Sequence, residues 1–494
     1  MTNGIIVTCL LVSLLLVAWS AWHGYRKSVT SADYIVAGRS MPWWIVGGSL
    51  LASSTSGATF FGMVGDYNRM GFFTHWVILG IASSWIVICF LVGPRLRRFG
   101  GFTIPEYLAQ RFDSPLLRPV FALITIAWMT ILMATVVVQG GLIFHALWGW
   151  PYELSVSLMI IVICVYTITG GQTSVMYTDF VQLIIFVGAA VVLVPITINA
   201  AGGLGHVTAS AEAMQPGFFT PTGGVMTGVS AMALFFIWFL GYLGHPGLLT
   251  RFYTVKSERD LYKTGVVLTL VYLPFLGSMS LVGASLRVMY PDAQDTEILW
   301  IRFAVEHAPA LIVGILVATL AAAVLSTADT WLLTAASSVT HDVARHFRKT
   351  DFTDDQLKRW TRWSVAFLAL ACLPIALNRP AYIIEMMTIA YSIAGASGGI
   401  VIIMSLYWRR MTKAGAWSGL IFGATTAVLG RVMIATSDLP DWFDPILPTL
   451  VVTVLIVVAV SLSTKSSAEA DRVFGTLLRK KPTGTHESST GSGR

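Results

Sequence analysis

At 494 residues the chain has the length of about three soluble domains, yet 55% of it is hydrophobic and only 12% charged, about half the charged share of a soluble protein. The formal charge is 32 − 25 = +7, and 17 Trp with 44 Gly suit membrane helices with rings at the interfaces and small residues at close crossings. A string of soluble domains is excluded. Cys9, Cys89, Cys164 and Cys372 lie within apolar runs with no CxxC pair and no nearby His. They read as small buried hydrophobes, neither disulfides nor a zinc site.

Thirteen apolar stretches long enough to cross a bilayer fall near 4–23, 42–65, 73–94, 117–147, 153–170, 174–198, 225–247, 264–288, 309–340, 361–378, 381–407, 414–436 and 445–463. No Lys or Arg precedes the first, and its apolar core is too long for a signal peptide, so it reads as a retained helix. With the N-terminus outside, 27 of the 32 Lys and Arg fall in inner loops and the tail, Arg111, Arg118 and Arg251 among them. That bias predicts a multi-pass protein of the inner (plasma) membrane with a cytoplasmic C-terminus. The positive charge therefore reports topology, not a nucleic-acid surface. Residues 1–41 form a first helix and inner loop, and 408–463 two further helices. The tail 464–494 reads as disordered, most plainly in its Ser/Thr/Gly-rich end from Pro482 to Arg494.

In the second span, Ala52-Ser53-Ser54-Thr55-Ser56-Gly57 puts four hydroxyl side chains and a glycine at mid-membrane depth. Two readings are open: close packing through small residues, or an interrupted helix whose freed carbonyls line a cavity. Asp179, soon after the start of the sixth span, is an intramembrane carboxylate and so a functional candidate, or a hydrated residue at the inner interface. The seventh span holds Trp238-Phe239-Leu240-Gly241-Tyr242-Leu243-Gly244-His245-Pro246, a second candidate break with Trp238 and Tyr242 on one face. Interrupted segments five spans apart, in matching positions of two halves, point to a transporter's binding site.

In the ninth span, Ala323, Ser326, Thr327 and Thr330 share one helical face and offer oxygens that suit a hard monovalent cation; hydroxyls there can equally bond their own helix. Asp329 lies one turn beyond Ser326. Adjacent His341 and Asp342 cannot make a base–orienter pair and read as helix-end residues. No nucleophile motif and no P-loop accompany them, which argues against an enzyme and against ATP as energy source.

Taken together, these segments resemble the sodium/solute symporter family. The matching stretches are Asp33 to Ser40, Ser49 to Gly65, Pro105 to Leu108, Gly170 to Gln182, Gly241 to Phe252 and Ala321 to Asp342. The resemblance implies an all-α membrane protein of about 13 helices with a five-plus-five inverted-repeat core of leucine-transporter type, the repeats falling at 42–198 and 199–407. It implies sodium (Na+) as coupling ion, held by carbonyls of Ala52, Thr55 and Ala323 and the hydroxyls of Ser326 and Thr327. It implies a candidate second cation or proton site at Asp179, Asp329 and Thr330, where Asp329 stands in place of an expected Ser. A small polar solute, such as proline or a short organic carboxylate, would meet Ser53, Ser56, Gly57, Trp238, Gly241 and Tyr242. Ala58 and Gly247 depart from the sodium/proline pattern, which has Trp and His there. A proton-coupled carrier and a non-transporting solute sensor are the rival readings.

Overall fold

The computed structural model describes residues 2–26, 41–100, 103–168, 172–348, 352–440 and 443–478. Asp33 to Ser40, Gly170 and Pro482 to Arg494, named above, lie outside the described residues. The described chain is helical, with one isolated bridge between Met41 and Val255. Its main elements are α1 (Thr2–Arg26), α2 (Trp43–Ser54), α3 (Val64–Met70), α4 (His75–Val87), α5 (Leu117–Trp148), α6 (Gln172–Ala200), α7 (Gly228–Leu243), α8 (Glu258–Met289), α9 (Ala310–Ser337), α10 (Ile383–Ala394), α11 (Lys413–Thr436) and α12 (Ile446–Ser463).

Among the described residues, ten helices are long and apolar enough to span a membrane, eleven if the bent pair Gly228–Leu243 and Pro246–Tyr253 counts as one span. Thirteen were expected. The second span is broken into α2 and the helix resuming near Thr59, and Tyr152–Thr167 is short. The run from Thr59 to Phe99 is continuous by length but turns at Gly71, whose φ of 57° and ψ of −145° suit glycine.

Large apolar side chains such as Leu15, Val191, Leu270 and Phe367 stand exposed on the outer surfaces. A soluble protein would bury such a shell; here its solvent is hydrocarbon. Inside, the buried apolar residues form one main cluster that runs through nearly all the helices. α6 is the hub, packed against α1, α2, α8 and α9. α5 lies against α9 and α10, and α7 against α4 and α10. α11 and α12 pair with each other beside the stretch Gly395–Gly399.

Several expectations need correction. Residues 464–478 are not disordered: Ala468–Leu478 is a helix burying Ala470, Val473, Phe474 and Leu477, one amphipathic stripe. Arg111 and Arg251, counted with the inner loops, are fully buried. The Arg111 guanidinium donates to the carbonyls of Ser405, Ala470 and Arg409. His341 and Asp342 are buried too, and Asp342 Oδ1 accepts from Thr103 (2.9 Å) and Arg118 (2.8 Å). Cys9 and Cys164 are only half-buried.

Candidate functional site

α2 ends because its last residues are small and hydroxylated, and because Thr55 leaves helical geometry at φ −97°, ψ 70°. Ser56 then accepts the Ala58 N–H at 3.0 Å and helps to restart the helix. The break frees carbonyls that a continuous helix would use internally. Hydroxyls from other helices meet them: Ser326 Oγ lies 3.3 Å from the Ala52 carbonyl, and Tyr272 donates to Ser54 at 3.5 Å. From α9, Ser326 Oγ also reaches the Ala323 carbonyl (3.0 Å), as does Thr327 Oγ1 (3.2 Å). Ala52, Thr55, Ala323, Ser326 and Thr327 are all buried. Four of the five expected ligand residues thus meet at one junction, with Thr55 at its edge on the break. Every donor there is a neutral oxygen, the set a hard monovalent cation accepts in exchange for water.

One turn away lies a cluster of a different kind. Asp179 is fully buried, which rules out the hydrated-interface reading. Its Oδ2 accepts from Ser49 Oγ at 2.7 Å and from Arg251 at 2.9 Å, with Ser53 Oγ 3.3 Å away. Arg251 sits on the 3-10 turn Thr250–Tyr253 that follows the second break. It also donates to the Ser49 carbonyl (2.6 Å), the Ser53 hydroxyl and Thr330 Oγ1 (2.5 Å). Ser53, expected in the solute pocket, is therefore bound into this charge cluster. Asp329, buried beside Thr330 (3.4 Å), lines a cavity of about 810 Å³ with Leu14, Trp22, Tyr166 and Thr178, and Arg362 also borders it.

The aromatic pair lies on α7, which packs against α4 and α10. Trp238 and Tyr242 are buried and pack against Tyr391 of α10, with ring centroids 4.8 and 5.2 Å apart. Trp85 meets Tyr242 edge-on, and Trp238 Nε1 donates to Thr388 at 3.2 Å. Gly241 lets Tyr391 approach: a Cβ there would lie 2.6 Å from that of Tyr391. A Cβ at Gly57 would lie 2.7 Å from the Gln139 side-chain oxygen. Gln139 is fully buried on α5, and neither end of its amide has a hydrogen-bond partner among the described residues. His245, ringed by Trp128, Trp331 and Tyr391, is likewise buried, with both ring nitrogens unpartnered among the described residues. Unmet polar groups beside a helix break are where a polar solute gains most.

Residues 34–423 match the sequence profile of the sodium:solute symporter family. The chain belongs to that family. It is similar to the osmoregulated proline transporter OpuE of Bacillus subtilis, 30% identical over 95% of this chain and 97% of the relative. The high-affinity proline transporter PutP of the same organism is 29% identical over 91% of this chain and 96% of the relative. A sodium/proline symporter of Staphylococcus aureus is 28% identical over 90% of each. A substrate-bound, outward-open sodium-coupled sialic acid symporter shares the fold, with a TM-score of 0.78 at 17% identity over 95% of this chain and 99% of that one. The nucleobase-cation-symport-1 transporter MHP1 superposes with a TM-score of 0.58 at 14% identity over 91% and 99%. As a family member, this chain is a sodium-coupled secondary symporter of a solute and not an enzyme.

Arg251, Gln139 and Tyr391 were not singled out as site residues in the sequence, whereas His245 was read there as part of the second break. Arg251 carried one usable signal, its place five residues after the Pro246 break, but by position alone it counts as a loop cation. Gln139 is a lone amide in a long apolar helix, which is itself a rare polar choice at that depth.

Proposed function

We propose that this symporter imports proline or a closely related small amino acid across the plasma membrane, driven by one bound sodium ion. The reading that sodium binds at the α2 break is carried by the Ser326 hydroxyl, which bridges from α9 to the Ala52 carbonyl 274 residues earlier. Ala52, Thr55, Ala323, Ser326 and Thr327 would hold the ion. The solute would sit against Trp238, Gly241, Tyr242 and Tyr391, with Ser56, Gly57 and the Gln139 amide offering polar contacts. Three relatives named for proline, each matched along nine-tenths of its length or more, support that substrate class.

In this reading the chain has thirteen spans, a five-plus-five inverted repeat and its N-terminus outside. Sodium closes the α2 break against α9 and so favours the conformation that takes up solute, a linkage that also makes solute tighten sodium. One charge crossing 100 mV supplies about 2.3 kcal/mol, to which the concentration gradient adds. The test is uptake of labelled proline into proteoliposomes with sodium or choline outside at fixed pH. Uptake in sodium alone supports the proposal. Uptake in choline driven by a pH gradient would make this a proton-coupled carrier, and binding without accumulation would make it a sensor.

A further inference from the structure

The helices fall into two packed groups with a seam between them. α8 packs on α2, α3 and α4, and α7 on α4, which makes one group. α5, the helix Tyr152–Ile168, α9 and the helix Asp354–Ala371 pack on one another as the second. α6 and α10 touch both. The proposed sodium junction lies on the seam, where Ser326 of α9 meets the Ala52 carbonyl of α2.

At the end of the molecule assigned to the inside, the tail helix Ala468–Leu478 crosses from one group to the other. It packs on two short helices: Gly93–Phe99, which extends the run from α4, and Ile104–Arg111, which leads into α5. Arg98 of the first holds both oxygens of Glu258, at the start of α8, at 2.8 and 2.9 Å, and donates to the Leu477 carbonyl at 3.2 Å. Arg111 of the second is fully buried and donates to the carbonyls of Ala470 (3.1 Å), Ser405 (3.2 Å) and Arg409 (3.3 Å), with the Phe474 ring 4.9 Å from its guanidinium. One amphipathic helix thus takes an arginine from each side of the seam. We infer that Ala468–Leu478 is a strap that holds the seam shut on the inside and lets go each time the site opens to the cytoplasm. The inference rests on the orientation and the sodium site proposed above.

The fastening is of a kind that can release. Arg111 is met by neutral carbonyls and a ring, so on release it exchanges them for water and strands no buried carboxylate. The ion pair Arg409–Asp471, 3.6 Å apart, is 70% and 41% exposed and adds little. What holds the strap is the apolar stripe of Ala470, Val473, Phe474 and Leu477. Residues 464–467 tether it to α12, so a released strap stays at hand. Sodium draws α2 against α9 and so favours the docked strap, and by linkage the docked strap favours sodium by the same factor.

Hydrogen exchange at the amides of Ala468–Leu478, in the full-length wild-type chain in detergent, tests this without any variant. Sodium in place of choline should slow exchange there about tenfold. Equal exchange in both, in a protein whose uptake needs sodium, would overturn the strap alone. Uptake that does not need sodium would overturn the sodium site and this inference with it. Phe474→Ser with Leu477→Ser should free the strap, seen as fast exchange in either salt. The reporter is Thr334→Cys in a chain whose four native cysteines are replaced by Ala; Thr334 Oγ1 lies 2.5 Å from where a Cβ on Gly247 would stand, across the seam from α9. With the strap freed, its reaction with a water-soluble maleimide without sodium should quicken about tenfold, and the sodium concentration for half-maximal proline uptake should rise about threefold. Phe474→Leu, which keeps the apolar contact, should behave as wild type. A freed strap with neither change would make the helix a static cover and overturn the inference.

Discussion

The two polar clusters beside α2 are one helical turn apart and built on opposite principles. The junction of Ala52, Ala323, Ser326 and Thr327 offers neutral oxygens, and nothing in it compensates a charge. The cluster of Asp179, Ser53 and Thr330 contains a carboxylate and brings its own cation, Arg251. The pair Arg379–Glu297, 2.6 Å apart, follows the second pattern: Glu297 also accepts the Ile383 N–H at 2.6 Å, at the start of α10. A neutral cradle must import its charge and can therefore report the ion outside, whereas a self-neutralised cluster is a fastener. Binding and fastening are separated in adjacent turns of the same helices.

The sharpest way to break this contrast is to unbalance the fastener. Arg251→Ala or Asp179→Ala alone strands a buried charge and should cost about 3–5 kcal/mol of stability. The double replacement should cost less than the sum of the two. Thermal unfolding in detergent gives the cycle, and simple additivity would show that the pair is not coupled.

The Arg379–Glu297 pair gives a pH-dependent version. Glu297, in the loop before Leu299, has its pKa pushed up to about 7 because burial outweighs the attraction of Arg379. Between its ordinary value near 4.5 and about 7, the folded chain keeps a proton that the unfolded chain has released. Stability should therefore fall as pH rises through that window, by up to about 3 kcal/mol in total. Glu297→Gln should flatten the slope; the same slope in the variant would assign it to another group.

These fasteners also mark the limit of what the sequence made legible. The α2 break, the shared face of Ser326, Thr327 and Thr330, and the aromatic pair could be read locally, because periodicity and hydroxyl content are local signals. Arg251 could not, because counting Lys and Arg by loop cannot see a side chain turned inward from a 3-10 turn. Gln139 comes to Gly57 of the break from α5, and Tyr391 to the aromatic pair from α10 packed on α7, so both arrive only through tertiary packing. The helix Ala468–Leu478 was legible: Ala470, Val473, Phe474 and Leu477 keep the i, i+3, i+4, i+7 spacing that a polar, low-complexity end of the tail obscured.

A smaller effect separates solute from ion. Trp238→Ala or Tyr242→Ala should weaken proline binding by about 1–3 kcal/mol through lost aromatic contact. Sodium binding without solute should hardly move, as judged by calorimetry. Equal loss of both would make these rings packing residues of α7 and α10.

The most direct measurement is the sodium dependence of proline uptake by purified Ser326→Ala in proteoliposomes. The neutral cradle loses one of its oxygens while the Arg251 cluster keeps its charges, so the sodium concentration for half-maximal uptake should rise about tenfold, equivalent to about 1.4 kcal/mol. Thermal stability without sodium should stay near that of wild type. An unchanged sodium dependence in the folded variant would contradict the placement of sodium at the α2 break.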